Sequence, residues 1–334
     1  MLRGKPPVVK NTRLKVFFVG NAKVGKTTAA IHFPKPYFID AEATLHLPDY
    51  VKAINEQEGA VFPCNDIDEV IKEIKTLLTV RHTYKTLVID SMTVLYDELV
   101  EDSINKIKAK TPGSEGTEFG KHIYLAGRKM KHLCNLLLRL DMNVVIISHA
   151  KNEYGKDMQV IGQTFDCWKG LAHAFDISLQ IEMRNKERIA LIFGSRWKEQ
   201  FPIGDYIPFS YAELAKRFDI SMIEKDAEPE VLASSDQVNA LKKLIQQTKT
   251  DSFSVEKWLS KAQANSFDEM KAADIEKCIS FLIVKLSKIY PSVEDNPPDA
   301  VEPEAETNGS PSLNLIPFTD KELEMSYLDH KDGF

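Results

Sequence analysis

The stretch Gly20-Asn21-Ala22-Lys23-Val24-Gly25-Lys26-Thr27-Thr28 satisfies G-x-x-x-x-G-K-[ST] at every fixed position. It also stands in the setting that a phosphate loop requires. An apolar, β-type run, Leu14-Lys15-Val16-Phe17-Phe18-Val19, leads into it, and Thr27-Thr28-Ala29-Ala30-Ile31-His32-Phe33 opens a helix behind it. The glycines let the backbone turn tightly, so that successive N–H groups converge on an anion. The positive end of the following helix faces the same point. In this pattern Lys26 reaches the β- and γ-phosphates and the Thr27 hydroxyl helps hold Mg²⁺. The stretch from Gly20 to Thr28 therefore implies a binding site for a nucleoside triphosphate and its Mg²⁺.

Composition narrows the class. At 334 residues, 43% hydrophobic and 28% charged, the chain suits one large globular domain with a smaller companion. No apolar run is long enough to span a membrane, and the basic start, Met1-Leu2-Arg3-Gly4-Lys5-Pro6-Pro7, lacks a hydrophobic signal core. Cys64, Cys134, Cys167 and Cys278 are scattered without a C-x-x-C pair. That argues against a zinc site and fits a reducing cytoplasm, the host's if the chain is phage-encoded. The net charge of −6 hides an asymmetry. Residues 292–334 hold 11 acidic residues against two lysines, while the rest carries 41 basic against 38 acidic residues, a net +3. A mildly basic body with an acidic tail permits a nucleic-acid partner.

Strand and helix patterns alternate from Leu14 onward, as in an α/β fold with a mainly parallel central sheet flanked by helices. Pro34 and Pro36 are expected to close the first helix, and Tyr37–Asp40 to form the second strand. Ile67, Val70, Ile71, Ile74, Leu77 and Leu78 fall at helical spacing within Asp66–Val80. A buried strand, Thr86–Asp90, precedes a helix to about Lys108, a break at 111–116, and a long helix from Gly120 to Leu140. Asn143–Ser148 reads as a further strand, followed by a polar loop. Asp176–Met183 and Arg188–Phe193 read as a hairpin. Glu224–Glu230 is linker-like. Beyond it Ser234 with Gln237 and Ser266 with Glu269 show capping-box spacing, and Ile275, Cys278, Ile279, Leu282, Ile283 and Leu286 form one apolar face. The expected organisation is a basic arm (1–13), an ATPase domain (14–222), a linker (223–232), a small all-α segment (233–290) and an acidic disordered tail (291–334).

Two carboxylates complete the expected chemistry. Asp90 ends an apolar strand and is followed by Ser91, the arrangement of a Walker B carboxylate that supports a metal-bound water near Thr27. The same position also suits an acid capping the next helix. Glu42, in Asp40-Ala41-Glu42 at the end of the second strand, is placed to orient or deprotonate a water. Position alone suits a solvated loop acid equally well.

The segment Phe38-Ile39-Asp40-Ala41-Glu42 is very similar to the RecA recombinase segment that carries that family's catalytic glutamate. The resemblance continues in order through Val88-Ile89-Asp90-Ser91, the helix from Gly120, and Asn143-Val144-Val145-Ile146-Ile147-Ser148-His149. It covers about residues 14–210 and implies a RecA-like P-loop NTPase core. Within that class the chain most resembles phage-type ATPases associated with single-strand annealing and recombination. The resemblance implies that Glu42 is catalytic and that His149, where RecA has glutamine, senses the γ-phosphate. It further implies assembly of a homo-oligomer, as ring or filament, with sites completed by neighbours. Arg196 and Lys198 then stand where such ATPases carry trans-acting basic residues. The arm is shorter than RecA's polymerising N-terminal helix.

Single-stranded DNA is the expected partner, alongside a single-strand-binding protein or annealing partner. The residues are Lys106, Lys108 and Lys110 in one loop, and Lys151, Tyr154, Lys156, Phe165, Trp168 and Lys169 in another. Lysines suit phosphates and aromatic rings stack on unpaired bases. The expected activity is DNA-stimulated ATP hydrolysis in recombination, annealing or repair. The rival readings are a helicase or translocase motor, a non-hydrolytic ATP-stabilised annealing scaffold, and a switch acting only on proteins. The tail, with its apolar island Leu313–Phe318, suits competition with DNA, partner docking or simple solubilisation.

Overall fold

The structure, a computed structural model, describes Pro6 and residues 13–111 and 113–289. Most of the basic arm, the acidic tail and its apolar island lie outside the described residues. In chain order the elements are β1 (Lys15–Gly20), α1 (Lys26–Ile31), β2 (Pro36–Asp40), α2 (Pro48–Glu56), β3 (Ala60–Pro63), α3 (Ile67–Thr79), β4 (Thr86–Asp90) and α4 (Met92–Lys110). Next come α5 (Lys121–Arg139), β5 (Asn143–Tyr154), β6 (Val160–Phe165), α6 (Leu171–Ala174), β7 (Ile177–Arg184), β8 (Glu187–Ser195) and β9 (Tyr206–Pro208). The chain continues through α7 (Tyr211–Arg217), α8 (Ile220–Ile223), α9 (Ser235–Gln247), α10 (Ser252–Ala262) and α11 (Ala272–Ile289).

The strands form one sheet in the order β3-β2-β4-β5-β1-β7-β8-β9, with β6 paired to the far half of β5. The pairs from β3 across to β7 are parallel, and β8 and β9 add an antiparallel edge. Helices cover both faces, so each strand buries alternate residues in opposite directions. Phe17, Ile39, Ile89 and Ile146 face α3, α4 and α5, while Phe18, Phe38, Val88 and Val145 face α1 and α7. The fold is α/β with a mainly parallel central sheet, as the sequence pattern implies.

Several local expectations change. Pro36 begins β2 instead of closing α1, which ends at Ile31. The helix α2 and the short edge strand β3 lie between the second strand and the Asp66–Val80 helix, where the sequence reading named no element. The polar loop expected after Ser148 is a hairpin: β5 runs on to Tyr154 and pairs antiparallel with β6. Ser234 and Gln237 form a complete capping box on α9, but Ser266 makes no side-chain cap. Its intended partner Glu269 is buried and turns to Lys75 on α3 (2.6 Å) and His132 on α5 (3.2 Å). Burial opposes ionisation of Glu269, yet His132 and Lys75 hold it down at about 2. On α11, Ile275 and Leu282 are buried, while Ile283 is exposed and leaves the expected apolar face.

The linker-like segment is fastened to the ATPase core. The Arg13 guanidinium pairs with Asp141 (2.8 Å) and donates to the carbonyls of Met222 and Lys225. Arg139 pairs with Glu230 (2.7 Å), whose N–H donates to Leu78 O. Lys15 opens β1 and donates through Nζ to the carbonyls of Leu137, Leu140 and Met142, at 2.9–3.0 Å. Burial pushes its pKa down to about 7. These bonds satisfy carbonyls left over at the end of α5 and set β5 beside β1.

Candidate active site

The carboxyl ends of β1, β2, β4 and β5 meet at one edge of the sheet, and the sequence-predicted site residues of those strands meet with them. Gly20 of β1 is in register with His149 of β5, and Asp40 of β2 with Asp90 of β4. The loop from Asn21 to Gly25 turns through two left-handed residues, Lys23 (φ 63°) and Gly25 (φ 97°). At Gly25 a side chain would be strained by the backbone angle alone. Lys26 folds back and donates to the carbonyls of Gly20 and Asn21, both at 2.8 Å. Burial lowers its pKa, and the negative charges of Asp90 and Glu42 oppose that shift. An ammonium held by two loop carbonyls is placed to transfer to phosphate oxygens.

The Thr27 hydroxyl donates to Asp90 Oδ2 at 2.6 Å. Asp90 is buried, and burial pushes its pKa up to about 6 against the pull of that hydrogen bond. The described residues hold no cluster of three or more His, Cys, Asp or Glu side chains suited to a metal. A facing hydroxyl and carboxylate nevertheless fit Mg²⁺, a hard ion that takes few protein oxygens and completes its shell with water and phosphate. When bound there, Mg²⁺ neutralises charge on the β- and γ-phosphates. The Asp40 carboxylate is used structurally: it accepts from Thr44 N–H (3.2 Å) and Leu45 N–H (2.9 Å) and fixes the turn that carries Glu42.

Glu42 and His149 form the second pair. His149 Nε2 lies 2.6 Å from Glu42 Oε1. The hydrogen bond from His149 holds the Glu42 carboxyl below its ordinary range, with Ser91 and Lys26 acting in the same direction. The same hydrogen bond raises the imidazole, so the pair favours carboxylate with imidazolium. The histidine is itself positioned, because its backbone N–H donates to Thr93 Oγ1 (3.0 Å) and Thr93 meets Ser148 Oγ (3.0 Å).

Other expected residues lie elsewhere. Arg196 and Lys198 follow the end of β8, and Ser195 pairs with Ile177, which pairs with Val16 near the start of β1. Both are therefore at the sheet edge opposite their own phosphate loop. Arg196 is engaged by Asp176 (2.9 Å) and the His173 carbonyl (2.7 Å). Lys106, Lys108 and Lys110 stand on the last turns of α4, not in a loop, and Lys106 pairs with Asp102. Phe165 packs edge-on against Phe17, with centroids 5.3 Å apart, and Trp168 packs on the same core. Both rings are partly buried. Lys151 pairs with Asp166 (2.8 Å), while Tyr154, Lys156 and Lys169 are exposed.

The sequence reading missed Met158, Val160 and Ile161, exposed on the β5–β6 hairpin, Phe119, exposed in the turn before α5, and Ile123 and Tyr124, exposed in its first turn. It also missed Arg188, whose place beside Gly25 depends on the register of the β7–β8 hairpin.

Fold and site together define a P-loop ATPase core, which implies a nucleotide and its Mg²⁺. A family model described as an AAA domain matches residues 12–201, more than half of the chain, and the chain belongs to that family. Among solved structures it is similar to the crystal structure of the RadB recombinase, with 15% identity and a TM-score of 0.37 over 60% of this chain and 88% of that one. No protein of curated function matches it. No described helix is long and apolar enough to cross a membrane.

Proposed function

We propose that this chain is a Mg·ATP-hydrolysing, RecA-like ATPase that acts on single-stranded DNA in recombination, annealing or repair. The observation that carries this reading is the 2.6 Å contact between Glu42 and His149. Glu42 is the carboxylate that orients the attacking water, and its lowered pKa suits positioning more than outright deprotonation. His149 holds that carboxylate in the resting state and turns to the γ-phosphate when ATP enters. Lys26 stabilises the charge on the transferred group, and Thr27 with Asp90 holds Mg²⁺.

His149 lies on β5, and the same strand continues without a break into the exposed hairpin that carries Lys151, Tyr154 and Lys156. Contact of DNA with the hairpin would therefore act on the strand that sets the Glu42 partner. Tyr154 supplies a stacking ring and Lys156 a phosphate contact. The chain works as a homo-oligomer whose DNA affinity follows its nucleotide state.

The test is steady-state ATP hydrolysis with and without single-stranded DNA, with Glu42→Gln as the blank. Stimulation that the variant loses is the expected result. Hydrolysis indifferent to DNA, with no DNA binding in the presence of ATP, would overturn the DNA part of the reading and favour a switch acting on protein partners.

A further inference from the structure

The β7–β8 hairpin stands beside the phosphate loop on the side away from Asp90, Glu42 and His149. Gly20 is in register with Ile181, and a Cβ added to Gly20 would meet the Ile181 carbonyl oxygen at 2.8 Å. The hairpin therefore abuts the loop at its base. Beyond Ile181 the two strands rise past the loop and turn at Asn185 and Lys186, both left-handed (φ 50° and 68°). From the returning strand Arg188 reaches over Gly25. A Cβ placed on Gly25 would lie 2.4 Å from Arg188 Nε and 3.0 Å from its Cζ.

This arginine differs from its neighbour on the hairpin. Arg184 donates to Tyr206 Oη (2.8 Å), covers that ring at 4.1 Å and pairs with Glu182 (3.0 Å). The Arg188 side chain is exposed and makes no ion pair or hydrogen bond with any described residue. It places a permanent positive charge against a loop that already presents Lys26 and converging peptide N–H groups. Asp90 and Glu42 act on Lys26, but no carboxylate among the described residues pairs with Arg188, whereas a polyphosphate would meet both cations.

The sheet order sets which part of the polyphosphate it meets. The groups suited to the terminal phosphate stand on β2, β4 and β5, all to one side of β1, while β7 and β8 stand on the other. A nucleotide with its γ-phosphate toward Glu42 must run across the loop and leave by the β7–β8 side. We propose that Arg188 contacts the α-phosphate end of a nucleoside di- or triphosphate, as a binding residue that the hydrolysed bond does not use. The inference rests on the nucleotide-binding reading above.

The test is calorimetric titration of the full chain with MgADP and with MgATP, alongside kcat and KM for hydrolysis. The variants are Arg188→Ala, Arg188→Met, which keeps the aliphatic stem over Gly25, and Arg188→Lys, which keeps the charge. Loss of a charge-assisted hydrogen bond corresponds to about 10-fold or more in affinity. Both neutral variants should weaken MgADP and MgATP by the same factor and raise KM with kcat little changed, and Arg188→Lys should recover part of the loss. Unaltered MgADP affinity in both neutral variants would overturn the proposal. So would a loss confined to MgATP or to kcat, because either assigns the arginine to the γ-phosphate. If wild type fails to bind MgADP and Lys26→Ala behaves identically, the nucleotide reading itself falls and takes this one with it.

Discussion

The two strands that flank β1 end alike in topology and differently in chemistry. β5 and β7 both pair with β1 in parallel, both pass the level of Gly20, and both turn back as antiparallel hairpins. On the β5 side the residue level with Gly20 is His149, locked to Glu42, and the hairpin beyond it projects Tyr154, Met158, Val160 and Ile161 into solvent. On the β7 side the residue level with Gly20 is the buried Ile181, and the hairpin is backed by β9 and lies along the phosphate loop. In the proposed reading a single device, a strand extended past its sheet, would serve two ends of one ligand. The β5 hairpin would link the reacting groups to an exposed surface, and the β7 hairpin would wall the site.

The comparison breaks first if the reacting groups are not on the β5 side. Glu42→Gln keeps the shape of the side chain and removes its charge. Hydrolysis should fall by about 10²–10⁴-fold, while MgATP binding by calorimetry stays within a few-fold. A variant that hydrolyses at the wild-type rate would remove Glu42 from the chemistry and leave the His149 contact as mere packing.

The β5–β6 hairpin is also divided along its length. Phe165 at its base is packed on Phe17, whereas Met158 at its tip is exposed. Phe165→Ala should destabilise the chain by about 3 kcal/mol through lost burial and a residual cavity, read by chemical denaturation. Met158→Ala should change stability by no more than about 0.5 kcal/mol. Equal effects would mean that base and tip are not distinct. Tyr154→Ala should then leave stability and basal hydrolysis intact and weaken single-stranded DNA binding by about tenfold, as expected for one lost stacking platform. Unchanged DNA affinity would take the stacking role away from the tip.

How far the sequence discloses this arrangement follows from burial. Phe17, Phe38, Val88 and Val145 announce their strands because both faces of the sheet are covered and each strand is apolar throughout. β5 loses that signature after Ser148, where it leaves the helices that cover it and becomes His-Ala-Lys-Asn-Glu-Tyr. A strand standing in water has no hydrophobic period to read, so its extension looks like a loop. The phosphate loop is legible because its motif is a short local spacing. Position alone leaves Glu42 open to a loop acid and Asp90 to a helix cap, and the catalytic reading of Glu42 rests on the resemblance of its segment to RecA. Phe165 and Trp168 are ambiguous in sequence because an aromatic residue is equally at home in a core or on a DNA-binding surface, and here both are partly buried against the core. Arg188 carried no signal of its own. Its position follows only from counting back along a hairpin whose turn falls at Asn185 and Lys186.

The smallest expected effect is a pH dependence, and it probes the link on the β5 side directly. Glu42 is lowered by its partner, so its contribution to stability is present above the ordinary glutamate pKa and lost as pH falls through the folded value. His149 is raised by the same contact, so its contribution is present below the ordinary histidine pKa and lost as pH rises through the folded value. The pair contributes fully only between the ordinary glutamate and the ordinary histidine pKa, and its contribution fades as pH passes the lowered carboxylate on the acid side and the raised imidazole on the alkaline side. His149→Ala should therefore lower the Tm of the free protein most within that window, with the difference from wild type shrinking on both the acid and the alkaline side. Both groups are partly exposed, so the shift will be small and reduced by added salt. A difference in Tm that is flat across pH would show that His149 supports the fold by packing alone, and the coupling between the β5 hairpin and Glu42 would lose its physical basis.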